Sequence, residues 1–343
     1  MAELMKAMVL TKPGHVELQD VPRPVPADNE VLVKVSHSGI CGTDLKIYGG
    51  GMPAIYPVIM GHEITGTIVE GQAPGGIKPG TRVIVDPTVF CGTCYHCQRN
   101  QTNLCPNGEL LGRERNGGFA EYVTAPKQNV FALPDEVSDE EAAFTQVFST
   151  CVHAQRMAPI APEESVVIIG LGVSGQLHTQ LAKAAGAKPI IGITRSAWKR
   201  DLAQEFGADL TLDQNNDIKA QVLEATNGIG PDLVIETAGK VETLAQAMEL
   251  VRIGGRVLPF GIYTETEGKL PFYYFYYKEI QILNARASKG EAFPASVDLV
   301  HDGVVKLKPL ITHVLPMSKL EEALTMLAQG TGKRMKVIMK NEP

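Results

Sequence analysis

The chain has 343 residues, a formal net charge of -6, 44% hydrophobic residues and six cysteines. That length accommodates two domains with independent cores, and the acidic balance, with Lys and Arg scattered, argues against a nucleic-acid surface. No apolar window of about 18 residues is present. Glu3 and Lys6 interrupt the apolar run at the N-terminus, so no secretory signal is read and a reducing, cytoplasmic location is expected.

Residues 1–153 read as short strands, KAMVL, EVLVKVS, ITGTIVEG, TRVIVD and AEYVTAP, separated by turns such as Pro13-Gly14 and Pro79-Gly80. This pattern predicts a barrel-like β domain. Within it stand Cys41-Gly42-Thr43-Asp44 and then Gly61-His62-Glu63, a thiolate and an imidazole on neighbouring turns. Such groups are zinc ligands, and with a third protein ligand they leave a coordination position open for chemistry. A lobe at about 88–108 carries Cys91, Cys94, Cys97 and Cys105 at C-x2-C-x2-C-x7-C spacing. Four thiolates that close together surround one tetrahedral zinc, a closed structural site. Two disulfides and an iron–sulfur cluster are the competing readings, disfavoured by the reducing compartment and by the fourth spacing.

In the segment AAFTQVFSTCVHA, a helix would put Cys151 about 140° around from Gln146, and His153 on the same face as Gln146 but roughly 10 Å further along. Cys151 is therefore expected as a buried, inert thiol and His153 as a structural residue.

Residues 154–287 change texture to strands followed by helices: SVVIIG, GQLHTQLAKAAGA, KPIIGIT, SAWKRDLAQEFGA, DLVIET, VETLAQAMELV and RVLPFG. The alternation predicts a doubly wound parallel sheet, an α/β domain. Gly170-Leu171-Gly172-Val173-Ser174-Gly175 follows its first strand and opens a helix. Glycines there allow a tight turn and close approach of a pyrophosphate to the helix N-terminus, so Gly170, Gly172, Val173 and Ser174 are cofactor candidates. Where an acid would meet the adenosine ribose the chain reads Thr194-Arg195-Ser196, and the nearest carboxylate, Asp201, falls inside the next helix. Thr194, Arg195, Ser196 and Lys199 instead offer hydroxyls and positive charge to a 2'-phosphate, which favours NADP over NAD. Gly261, at the end of RVLPFG, is assigned to the cofactor site as well. The aromatic run Phe272 to Lys278 reads as a helix or loop at a domain or subunit surface, with a substrate-facing wall as the alternative. EIQILNARA ends the sheet, and residues 288–343 read as a return to the first domain.

The order of Cys41-Gly42-Thr43-Asp44, Gly61-His62-Glu63, the four-cysteine lobe and the glycine motif resembles the zinc-dependent medium-chain alcohol dehydrogenases, in particular the sorbitol, threonine and glucose dehydrogenase branch. The resemblance implies a GroES-like catalytic domain joined to a Rossmann domain. It implies Cys41 and His62 as catalytic zinc ligands, Glu63 as the acid that approaches the metal, and Thr43 as the hydroxyl that relays the substrate proton toward the nicotinamide ribose. Lys336 falls where the family places a cation close to the cofactor pyrophosphate.

Two positions depart from the family pattern. Gln146 stands where sorbitol and threonine dehydrogenases carry a glutamate and other alcohol dehydrogenases a cysteine. Its side-chain oxygen either coordinates zinc, leaving the metal more electropositive, or only hydrogen-bonds while Glu63 completes the site. Lys46 stands where relatives often carry the last histidine of the relay. A lysine of ordinary pKa, about 10.4, is a poor base at neutral pH, so Lys46 carries a lowered pKa, recognises an anion, or is simply solvated.

The expected activity is hydride transfer between NADP(H), with NAD as the alternative, and a secondary alcohol or its ketone, with polyols and sugars as the leading substrates. A β-hydroxy amino acid or a simple secondary alcohol remains open. A catalytically silent nucleotide sensor is the rival from another class. The family's dimers pair the last strand of the parallel sheet, so a homodimer or homotetramer is expected.

Overall fold

The computed structural model describes residues 3–330 and 332–342. The chain divides into two compact units, Met1–Ser149 with Lys289–Pro343, and Thr150–Ser288. Among the described residues no helix is long and apolar enough to cross a membrane.

The first unit opens with β1 (Leu4–Lys12) and β2 (His15–Pro22), an antiparallel pair turned at Gly14 and joined on its other side by β4 (Val58–Ile59). A larger sheet takes β3 (Glu30–Gly39), β5 (Glu63–Glu70), β6 (Arg82–Val85), β9 (Tyr122–Pro126) and β10 (Val130–Ala132). Its inner faces are β-branched, with Val31, Val33, Val35, Ile64, Ile68, Val83 and Val85 all buried, as period-2 alternation requires. A short helix, α1 (Gly42–Tyr48), leaves the end of β3, with Cys41 as its N-cap residue.

The cysteine lobe is closed by a two-stranded ladder between β7 (Thr88–Val89) and β8 (Glu109–Leu110). At its base Asn129 donates to the carbonyls of Asp86 (2.9 Å) and Thr88 (2.7 Å), while its own carbonyl accepts the Asp86 amide (2.7 Å). Next come α2 (Asp139–Ala142), capped by Ser138, and α3 (Thr145–Met157). Cys151 and His153 are both buried on α3, and burial pushes the Cys151 thiol up, leaving it unreactive at neutral pH.

The second unit has six parallel strands, β11 (Val166–Ile169), β12 (Ile190–Ile193), β13 (Leu210–Leu212), β14 (Leu233–Glu236), β15 (Arg256–Pro259) and β16 (Gln281–Ile282). Their order is β13-β12-β11-β14-β15-β16, so the chain reverses direction across the sheet between β11 and β14. The near-continuous Val and Ile of β11, β12 and β14 are buried on both faces, the signature of a parallel sheet covered by helices. Those helices are α4 (Val173–Ala184), α5 (Ala197–Glu205), α6 (Ile218–Ala225) and α7 (Val241–Leu250); α8 (Tyr273–Tyr277) is a single short turn before the edge strand. Phe272, Tyr273, Phe275, Tyr276 and Tyr277 are exposed on and just before that turn. Lys278 anchors it by donating to the carbonyls of Met248, Glu249 and Val251 (3.1, 2.7 and 2.7 Å), which end α7.

The chain then rejoins the first unit through α9 (Ala292–His301), β17 (Ile311–Pro316), α10 (Leu320–Gln329) and β18 (Lys336–Lys340). β18 inserts between β17 and β3, with Ile338 opposite Gly39.

Candidate active site

The end of β3 and the start of β5 meet in register, Gly39 opposite Glu63, which brings two sequence motifs to one place. Ligand atoms of Cys41, His62 and Glu63 lie within 4.8 Å of one another, with His62 and Glu63 buried. Gly61 makes the turn before His62: its φ is +92°, and a Cβ there would fall 2.9 Å from Phe119. Asp44 is fully buried on α1. Its Oδ2 accepts the Cys41 amide at 2.8 Å, and its Oδ1 stands 3.3 Å from His62 Nδ1. The carboxylate stands beside Nδ1 without hydrogen-bonding it, and a carboxylate on that side leaves Nε2 to serve a metal. Burial opposes a charge on His62, yet the Asp44 carboxylate and the Cys41 sulfur hold its pKa well above the ordinary value. A pocket that draws a proton onto a buried imidazole is electrostatically suited to a cation.

Glu63 is fully buried, and its two oxygens divide their work. Oε2 pairs with the ammonium of Lys336, while Oε1 is buried without a hydrogen-bond partner. Lys336 is 2% exposed; it also donates to the Ile40 carbonyl (3.2 Å) and lies 5.2 Å from the Phe144 ring centroid. Only glycine at position 39 leaves room for this pair, because a Cβ would fall 2.0 Å from Glu63 Oε2 and 2.8 Å from Lys336 Cε. The structure places Lys336, expected close to the cofactor pyrophosphate, against Glu63 within the first unit. A buried ammonium requires a carboxylate, and that requirement turns the side chain inward to Glu63.

Thr43 and Lys46 are half-buried on α1, three residues apart and hence on one side of it. Gln146 is half-buried in the first turn of α3, where its carbonyl accepts from Ser149 (2.7 Å). The residues present fit a zinc: thiolate, imidazole and carboxylate converge, and Oε1 of Glu63 is an orphan acceptor.

The lobe fits a second zinc on different grounds. Its sulfur atoms stand 3.6 Å (Cys91–Cys105), 3.9 Å (Cys94–Cys105) and 4.0 Å (Cys91–Cys97) apart, and all four cysteines are free thiols. Tetrahedral thiolates at the usual Zn–S length are about 3.8 Å apart, whereas bonded sulfurs are about 2.0 Å apart. Amides of Thr93 and Cys94 hold the Cys91 thiol down to about 6, in the thiolate range at neutral pH. The sulfur separations match thiolates around one zinc and not bonded sulfur pairs, in line with the sequence reading that disfavours disulfides.

In the second unit the three motif glycines do three jobs. Gly170 turns the chain out of β11 at φ +92°, and Gly175 packs α4 on the strand so tightly that a Cβ would fall 1.9 Å from the Gly170 carbonyl. Gly172, the N-cap residue of α4, is different: nothing lies within 4 Å of a Cβ placed there. That open cradle, with Val173 and Ser174 starting the helix, fits a pyrophosphate at a helix N-terminus. Past β12, Thr194 accepts from Arg200 through its carbonyl (2.9 Å), Arg195 is exposed and Ser196 is the N-cap residue of α5. The Lys199 carbonyl accepts from Gln176 (2.8 Å), tying α5 to α4. Arg200, which the sequence did not single out, is committed to Asp213 at 3.0 Å. The Asn215 amide, ahead of Arg200, holds the Asp213 carboxyl below its usual range. Gly261 follows β15, where a Cβ would fall 2.2 Å from the Gly239 amide.

A three-ligand metal group with an orphan acid in one unit and a dinucleotide turn in the other define the class: a metal-dependent dinucleotide oxidoreductase. Comparison with known proteins reaches the same class. Residues 27–135 match the family model of the alcohol dehydrogenase GroES-like domain, and residues 173–302 that of the zinc-binding dehydrogenases. A sorbitol dehydrogenase of Halalkalibacterium halodurans is 34% identical over 95% of this chain and 97% of its own length. An L-threonine 3-dehydrogenase of Pyrococcus horikoshii is 36% identical over 97% of this chain and 98% of its own. A Sinorhizobium meliloti protein described as a zinc-binding dehydrogenase, solved bound to NADP, superposes with a TM-score of 0.93 at 33% identity, covering 98% of this chain and 99% of that one. The chain belongs to the zinc-dependent medium-chain alcohol dehydrogenase family and is an oxidoreductase.

Proposed function

We propose that this enzyme oxidises a secondary alcohol of a polyol or sugar to the ketone with reduction of NADP, releasing one proton, and runs the reverse reaction with NADPH. The observation that carries this reading is the convergence of Cys41, His62 and Glu63 ligand atoms within 4.8 Å. Cys41, His62 and the side-chain oxygen of Gln146 would hold the zinc, with Glu63 approaching the remaining position to aid ligand exchange. Zinc at that place supplies Lewis acidity, which lowers the pKa of an alcohol hydroxyl toward neutrality. Lys336, paired with Oε2, keeps Glu63 in place. Thr43 takes the hydroxyl proton and passes it toward the nicotinamide ribose, and Lys46, on the same side of α1, recognises an anionic group of substrate or cofactor. Gly170, Gly172, Val173, Ser174 and Gly261 hold the dinucleotide. Cys91, Cys94, Cys97 and Cys105 hold the structural zinc and take no part in turnover.

NADP is favoured over NAD because Arg195 is exposed beyond β12 and the Asp213 carboxylate at the end of β13 is paired with Arg200 at 3.0 Å. The polyol assignment draws on the sorbitol dehydrogenase likeness. A homodimer or homotetramer in the cytoplasm completes the reading, with the two-residue edge strand β16 and the exposed aromatics before it as the contact.

The test is a panel of initial rates on zinc-loaded protein with polyols, sugars, β-hydroxy amino acids and simple secondary alcohols, each with both cofactors. A polyol or sugar with NADP should give the highest kcat/KM. A hydroxy amino acid as best substrate, or faster turnover with NAD at equal concentration, would reverse the corresponding half of the proposal.

A further inference from the structure

Glu236 ends β14, a strand whose four residues are all buried, and it places a carboxylate where an apolar side chain would be expected. Among the described residues no Lys, Arg or His pairs with it. Burying an unpaired carboxylate costs several kcal/mol unless hydrogen bonds replace its water. Four groups do so. The Ala238 amide donates at 2.7 Å, the Gly239 amide at 3.1 Å to each oxygen, the Thr243 hydroxyl at 2.8 Å, and the Tyr263 hydroxyl to Oε2.

The same residue reaches a second loop through its backbone, since the Glu236 carbonyl accepts the amides of Phe260 (2.8 Å) and Gly261 (2.9 Å). Glu236 therefore fixes both the loop after β14 and the loop after β15, which touch backbone to backbone at Gly239 and Gly261. Its neighbour Thr237 extends the tie: the hydroxyl donates to the carbonyls of Ile169 (3.1 Å) and Gly170 (2.8 Å), the start of the glycine turn. All of these contacts lie at the carboxyl ends of the strands, beside the β11–β14 reversal. In open α/β sheets that crevice takes the ligand, with the second half of the sheet serving the second mononucleotide.

We propose that Glu236, with Tyr263 as its donor from the β15 loop, is a positioning residue that sets the two loops on which the nicotinamide half of the dinucleotide lies. The inference rests on the reading of this unit as the cofactor domain. Burial, and then the Glu236 carboxylate itself, push the Tyr263 phenol up, so it stays a protonated donor across the working pH range. A comparable polar closure sits at the opposite end of the same strands, where Ser165 donates to Asp232 at 2.7 Å, away from the crevice. It provides the control.

The experiment uses full-length, zinc-loaded protein and compares Tyr263→Phe, Glu236→Gln and Ser165→Ala with the unaltered chain. NADPH and NADH are titrated by their fluorescence, KM is measured separately for cofactor and alcohol, and stability by urea. Losing one hydrogen bond to a charged group should raise the NADPH Kd of Tyr263→Phe about 5–10-fold, with the alcohol KM changed less than about twofold. Glu236→Gln should weaken cofactor binding further, because whichever oxygen its NH2 group replaces, that group faces the Gly239 amide, a donor against a donor. Ser165→Ala should lose stability with no change in cofactor affinity. An unchanged Kd in Tyr263→Phe, or an equal rise in Ser165→Ala, overturns the inference alone. Failure of the unaltered chain to bind either cofactor overturns the cofactor-domain reading and this inference together.

Discussion

Asp86 shows how far burial alone can move a side chain's chemistry. It follows β6, is 3% exposed, and its carboxylate accepts the Thr88 amide at 2.9 Å. Burial, only partly offset by that amide, raises its pKa to about 7 from an ordinary 3.8. The folded chain thus holds a proton that the unfolded chain releases, and between those two values stability falls as pH rises. Asp86→Asn keeps an acceptor for Thr88 and removes the charge, so it should stabilise the protein by on the order of 2–4 kcal/mol at pH 8 and by almost nothing near pH 3.5. Urea unfolding at both pH values decides it, since an equal gain at both would mean the charge is not the cause. Asp86 was invisible in the sequence as a special residue because nothing local marks its burial. Cys41, His62 and Glu63 were legible for the opposite reason: their motifs are contiguous and chemically distinctive. Lys336, 273 residues from Glu63, became a partner only through the register that sets β18 against β3 and β3 against β5.

Elements with strong periodicity declared themselves, and those with weak burial did not. The strand–helix alternation from β11 onward was readable because its strands are unbroken Val and Ile. β2 carries little sequence signal, since among its eight residues only Val16 is buried, and α6 carries little more, with only Ile218 and Val222 buried. The glycine turn was readable as a motif, but the separate duties of its glycines follow from what each one packs against. They lead to opposite expectations for the same substitution. Gly172→Ala adds a methyl into open space, so the fold should keep its thermal midpoint within a degree or two while the cofactor Kd rises at least about tenfold, the methyl occupying the pyrophosphate cradle. Gly175→Ala drives a methyl to 1.9 Å from the Gly170 carbonyl and should cost about 1–3 kcal/mol by forcing α4 off β11. Thermal melts and NADPH titrations of the two variants separate these effects, and similar melts would contradict the packing role of Gly175.

At the scale of the whole molecule, the first unit is built from both ends of the chain, and its two metal groups obey different rules. Cys41, His62 and Glu63 offer three ligand atoms, whereas the lobe offers four thiols. A site with three protein ligands keeps an exchangeable position and yields its zinc sooner than a closed tetrahedral one. Stepwise chelation of the intact enzyme should therefore remove activity with the first equivalent of zinc lost, while far-UV circular dichroism and protease resistance stay as they were. The second loss should release the lobe, where Arg99 is exposed on a short turn between Cys97 and Cys105 and stacks over Tyr95 at 3.7 Å. Trypsin should then cut at Arg99, while the sheet cores of both units, which contain no metal ligand of the lobe, resist. Zinc content, initial rate and the cleavage pattern, followed together, assign each ion to its site. Nicking at Arg99 before activity falls would mean that the four-thiolate site is the weaker one, whereas loss of both zincs without nicking would mean that the ladder of β7 and β8 holds the lobe more than its metal does.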